Sequence, residues 1–324
     1  MSSLLWLRLC VLPACTWVRW LTLAFLCGTM APLPAAAQFR NRTRKPATAR
    51  PPVAAALTAD PPAVLQKLVQ ASTLVNQFKD SEALAVYQEV LKTNPTHYLA
   101  LWQAAVLSVK IGARYSDETR KAAYFDAGRQ YGDRALLLRP EGGESNFAVA
   151  LALFNQATLY KAGARLKAFD DLRSHVYLAT QNRPDLPQAW QLLGRWQYRV
   201  AHYNLLERVY SNLVLGGVPS GGDSRKAMEA LEKARSLAPT NLQFCYDLAR
   251  MYQYQGRRRL AIQTLRDAEK ISPITSEDLV ISRLCRQMLP PLLRADAQRQ
   301  KRLTSLERKN ADPDKVPVNS SVSK

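Results

Sequence analysis

The side chains best placed to do chemistry are arginines, tyrosines and glutamines that recur at one spacing. Gln188, Gln191, Arg195 and Tyr198 are separated by three, four and three residues, and Gln243, Tyr246, Arg250 and Gln253 repeat that spacing. Such spacing puts each set on one face of a helix. A guanidinium is a planar donor fork that matches a carboxylate or phosphate, so these faces suit an anionic ligand. His202 stands one turn beyond Tyr198 and could point to the same side. An alternative for Arg195 is an ion pair with Glu207 or another acid that only locks the fold.

Other chemistries lack their residues. His97, His175 and His202 are the three histidines, and none has a second ligand at metal-binding spacing, so no metal or other cofactor is expected. Gly216-Gly217 and Gly221-Gly222 follow no strand and precede no Lys-Ser/Thr, so they read as turns and not as a phosphate cradle. No carboxylate is set beside a nucleophile and base, and catalysis has no candidate residues. Cys245 and Cys285 could form a single bridge in an oxidising compartment or remain two small buried thiols.

The elements that carry these residues follow from a repeat. Pro273 lies 34 residues after Pro239, and between them stand Cys245, Leu248, Ala249, Tyr252, Gly256, Ala261, Leu265 and Ala268. This is the tetratricopeptide (TPR) pattern of two antiparallel helices. Ala249 and Ala261 let the helices approach, Leu248, Tyr252 and Leu265 fill the space between them, and Gly256 turns the chain. The same frame fits Ala71, Leu74, Ala83, Tyr87, Val90 and Pro95. It also fits Ala135 and Pro140, a weaker pair over 145–183, and Trp190-x-x-Leu193-Gly194 joined to Ala227, Leu231, Ala234 and Pro239. The insertion between the halves of that last unit reads as a loop. About five helix hairpins result, with a helix from Ser276 to Met288 closing the stack. Trp102, Trp190 and Trp196 fall at interior positions. The expected fold is an all-α, TPR-like superhelical solenoid whose concave face is lined by the two polar sets.

One stretch is more specific. Gly194-Arg195-Trp196-Gln197-Tyr198-Arg199-Val200-Ala201 leads to Leu206-Glu207-Arg208, then to a loop, Val214 to Ser224, and a helix, Ala227 to Leu237. With Ser174-His175-Val176 upstream, this block resembles the regulator of microtubule dynamics family, over roughly Ala63 to Leu289. The resemblance implies a TPR-like fold, no catalysis, and protein binding at microtubules or membranes, with lipid binding proposed for some members.

The flanks differ from the body. Residues 1–37 read as a signal peptide: Arg8 and Arg19 precede an apolar run from Trp20 to Met30, and Ala35-Ala36-Ala37 offers a cleavage site before Gln38. Absence of acids before Asp60, with Arg40, Arg42, Arg44, Lys45 and Arg50, also suits a mitochondrial transit peptide. Residues 38–62 read as a disordered basic linker, 63–293 as the repeat domain and 294–324 as a polar, mostly disordered tail. An exported chain, periplasmic or secreted, is the first expectation and a mitochondrial one the second.

The net charge is +19, and Arg257-Arg258-Arg259 forms a local cluster. That cluster falls in a turn and the aromatics fall in the core, so nucleic acid is not the expected partner. A protein or peptide partner is expected in the groove, with a lipid or other anionic ligand and membrane association as the alternative. An export signal would separate the chain from tubulin, so fold and lack of catalysis are what the resemblance carries over.

Overall fold

The computed structural model of the chain describes residues 60–310, and all regular structure among them is helical. The signal segment and most of the basic linker lie outside the described residues. Five hairpins are formed: α1 (Pro62–Asn76) with α2 (Asp80–Thr93), α3 (Tyr98–Gly112) with α4 (Glu118–Leu138), α5 (Gly143–Gln156) with α6 (Ala162–Asn182), α7 (Pro187–Ala201) with α9 (Ser224–Leu237), and α10 (Leu242–Tyr254) with α11 (Arg258–Glu269). Between α7 and α9 lies α8 (Leu205–Val214), and α12 (Ser276–Asn310) closes the stack.

Helix starts follow local chemistry. Pro62 and Pro187 open α1 and α7, where a missing backbone donor costs nothing. Asp117, Asn204, Asp223 and Asn241 cap α4, α8, α9 and α10 by accepting from backbone N–H groups of the first turn. Gly256 has φ +71°, the left-handed conformation that lets the chain reverse between α10 and α11. Gly194 serves a different need, because a Cβ there would sit 2.9 Å from the carbonyl oxygen of Ala227, so only glycine lets α7 lie this close to α9.

The core is divided along the stack, as a solenoid requires. Tyr87, Leu101 and their neighbours fill the first two hairpins, Leu172 and Trp196 the middle, and Leu248, Leu265 and Cys285 the last hairpin with α12. Cys245 and Cys285 are both buried free thiols. The superhelix also returns on itself. Arg114, in the α3–α4 turn, pairs both with the buried carboxylate of Asp80 and with Glu277 at the start of α12.

Two segments depart from the sequence reading. The insertion expected as a loop contains α8, while its glycines do form turns, with positive φ at Gly216, Gly217 and Gly221. Helix α12, expected to close the stack at Met288, passes through Pro290 and Pro291 and runs on to Asn310.

Candidate functional site

An open cleft of about 750 Å³ is lined by residues of α5, α6, α7, α9 and α10. Its apolar floor is made by Phe154 of α5, Phe169 of α6, Leu231 of α9 and Met251 of α10. Tyr198 and Tyr254 also line the cleft, with Arg165, Arg195, Arg199 and Arg250, and Asp247 is the one carboxylate of the lining. Apolar floors with a few convergent polar groups are the usual form of a binding site.

The four arginines divide into two pairs by their partners. Arg199 Nη1 donates to Glu207 Oε2 at 3.2 Å, and its other terminal nitrogen bonds Glu207 Oε1. Arg165 Nη2 lies 3.6 Å from the same carboxylate, so Glu207 is shared by two guanidiniums and offsets part of the charge on one side of the cleft. It is therefore Arg199, one turn beyond Arg195, that makes the ion pair with Glu207 considered for Arg195. Arg195 instead lays its guanidinium 5.0 Å from the Phe154 ring centre, and Arg250 lies 5.6 Å from that of Tyr246. Among the described residues neither has an acid partner, and both are exposed. A cation held over a ring keeps its donors free for a ligand.

The remaining polar residues of the two sets are placed differently. Gln191 Nε2 donates to Asp247 Oδ2 at 2.7 Å and Gln243 Nε2 to Oδ1 at 3.0 Å, so both amides hold that carboxylate. Gln253 lines the cleft, whereas Gln188 and Tyr246 are not among its lining residues. His202 is packed beside the cleft: its ring centre lies 4.2 Å from Tyr198 and 4.4 Å from Tyr254, and Nδ1 donates to the Tyr198 carbonyl at 2.6 Å. His175 donates from Nδ1 to Asn146 Oδ1 at 2.8 Å, and burial keeps its ring below the usual histidine range. Phe154, Arg165, Phe169, Asp247, Met251 and Tyr254 were not anticipated as lining residues. Phe154 and Phe169 lie in the hairpin with the weakest repeat signature, and nothing in their local spacing announces a cleft.

Glu207 links the cleft to α8. It accepts from the Asn204 backbone at 3.0 Å while Asn204 accepts from the Glu207 backbone at 2.8 Å, a reciprocal N-terminal cap. The Arg199 hydrogen bonds hold its carboxyl below the ordinary glutamate value despite burial, with the Asn204 bond and Arg165 adding to the effect. A depressed folded pKa contributes stability above the unfolded value of about 4.3, and that contribution is lost as pH falls through the folded value. Stability should therefore fall with acid below about pH 4.3, and Glu207→Gln should flatten that dependence. Urea midpoints between pH 5 and 3 measure it; equal slopes for both proteins would contradict the assignment.

The family model described as regulator of microtubule dynamics protein 1-3 matches residues 67–293. Regulator of microtubule dynamics protein 3 of Rattus norvegicus is 25% identical over 180 residues, 55% of this chain and 38% of the relative. The Xenopus laevis protein of that name is 23% identical over 195 residues, 60% of this chain and 42% of its own. The chain thus spans about two fifths of the length of the curated relatives it matches. Among solved structures, a thermophilic TPR protein of Thermus thermophilus superposes with a TM-score of 0.50 at 16% identity, over 69% of this chain and 100% of that one.

Proposed function

We propose that this chain, which belongs to the regulator of microtubule dynamics family, is a non-catalytic binding protein whose cleft receives an acidic peptide segment of a partner protein. The observation that carries this reading is the pair Arg195 and Arg250, two exposed guanidiniums without acid partners among the described residues that line an aromatic and aliphatic cleft. Such a site rewards a carboxylate placed beside an apolar side chain. The TPR-like helical fold supports a scaffold role, and the cleft contains no nucleophile set beside a base.

A second reading places the acyl chain of an anionic lipid on the same floor, its head group against the arginines. Phe154, Phe169, Leu231 and Met251 favour it, because together they offer an apolar lining with no polar side chain among them. The relatives match over two fifths of their length, and action on microtubules is not part of the proposal. Export through the segment before Gln38, to periplasm or medium, is proposed from sequence, with mitochondrial targeting as the alternative.

Native mass spectrometry of the chain purified from its own cells tests these points together. A bound species of lipid mass supports the second reading. No such species, with micromolar binding of acidic peptides, supports the first, and failure of both overturns the cleft as a receptor. The mass of the free polypeptide shows whether it starts at Gln38, the start expected after cleavage behind Ala37.

A further inference from the structure

Helix α8 is built inside out. A surface helix of a globular protein normally turns its apolar stripe to the core. Here the inward residues are Glu207 and Ser211, 6% and 0% exposed, while Leu205, Leu206 and Leu213 are 76%, 79% and 80% exposed. Val209 and Val214 are exposed with them, and at 3.6 residues per turn all five occupy one half of the helix. Tyr210 falls between Leu206 and Val214 on that half, its hydroxyl end resting against Gly163 of α6. What retains the helix is polar: the Glu207 pairing with Arg199, its cap with Asn204, and the Gly217 N–H donating to the Ser211 carbonyl at 2.9 Å. Ser211 Oγ and Arg165 Nε are buried on the inner side without partners. Inward burial therefore does not account for the leucines and valines of α8.

We propose that the outward face of α8 docks onto a lipid bilayer surface that carries anionic head groups. Three observations select a bilayer over a protein. Apart from Tyr210, whose hydroxyl end is taken up against Gly163, the face is aliphatic, with no Trp or Arg on it to anchor a specific protein interface. It is also small, about 15 Å long for ten residues, against roughly 800 Å² per partner in a stable protein complex. A fluid acyl layer demands no anchor in a matching pocket, and a short apolar face lying in the interface gains in proportion to its buried apolar area together with attraction to anionic head groups. Charge agrees: the one acid of α8 is turned inward onto Arg199, Arg208 and Asn212 border the face, exposed Lys161 lies two residues from Gly163, and the chain as a whole is +19. The proposal holds whatever occupies the cleft, because no cleft-lining residue belongs to the face.

The test is hydrogen–deuterium exchange of the full chain with phosphatidylcholine vesicles, with or without 30% phosphatidylglycerol, a composition that supplies about one anionic lipid in three. Exchange over 205–214 is expected to slow about tenfold or more on the anionic vesicles and less on the neutral ones. Leu206→Glu combined with Leu213→Glu should abolish that protection and leave the melting temperature unchanged, since both side chains already face water. Exchange over 205–214 that ignores vesicles, or protection that survives the double substitution, overturns the proposal. So does a doubled solution mass that the same substitutions reverse, which would assign the face to a second copy of the chain.

Discussion

Trp196→Ala is expected to destabilise the protein by about 3–5 kcal/mol, the range for deleting a fully buried large aromatic. Trp196 is 0% exposed and lies where α6, α7 and the α8–α9 turn meet. Its Nε1 donates to the Phe169 carbonyl at 2.8 Å, and its ring stands edge-on to Tyr177 at 5.8 Å. Alanine would leave a cavity bounded by helices that cannot easily collapse, because α7 is already pressed against α9 at Gly194. In a domain of this size the melting temperature should fall by roughly 10 °C or more. Trp196→Phe should lose less, since it keeps most of the volume and gives up only the hydrogen bond and part of the ring. A loss below about 1 kcal/mol for the alanine variant in urea titrations would show that the middle of the stack is not held as described.

Reversing both free cations, Arg195→Glu with Arg250→Glu, is expected to weaken binding of an anionic ligand by about 100-fold or more, the effect of replacing attraction by repulsion at a partly desolvated contact. Stability should change little. Neither side chain has an ion-pair partner among the described residues, and what each loses is a stacked contact worth about 0.5–1 kcal/mol at an exposed site. Fluorescence anisotropy with labelled acidic peptides reads the first quantity and thermal melting the second. Arg195→Ala alone should give a smaller loss in the same direction. Unchanged binding with a collapsed melting temperature would assign these arginines to packing instead. The contrast with Arg199 is informative, because its removal would leave the buried Glu207 carboxylate without its main partner and loosen α8.

Much of the hairpin framework was legible in the residues. Pro239, Ala249, Gly256, Ala261 and Pro273 each answer a demand made within one unit: a close approach, a reversal or a stop. The same demands recur in each hairpin, so the pattern can be read without knowing what packs on what. The candidate arginines were legible for the same reason, since a helix face is a property of spacing. Their partners were not. The choice between Arg195 and Arg199 as the residue that meets Glu207 depends on where α8 lies, and two arginines one turn apart look alike in sequence.

The insertion shows the limit most clearly. Apolar residues in Leu205 to Val214 repeat with helical spacing, and periodicity reveals that an apolar face exists but not whether it turns in or out. The glycines that follow drew the whole segment toward a loop. The cleft floor is invisible in the sequence for a different reason. Phe154 and Met251 lie nearly one hundred residues apart and meet only because successive hairpins rotate about the superhelix axis. Gln191 and Gln243, read as ligand contacts, are held by Asp247 from that same rotation. By itself, then, the sequence determined the repeat, its helices and the cationic helix faces, since these are set by neighbours within about 34 residues. Tertiary structure alone decided which cations stay free, what lies between them and which way α8 faces, because those depend on distances between units that no local spacing encodes.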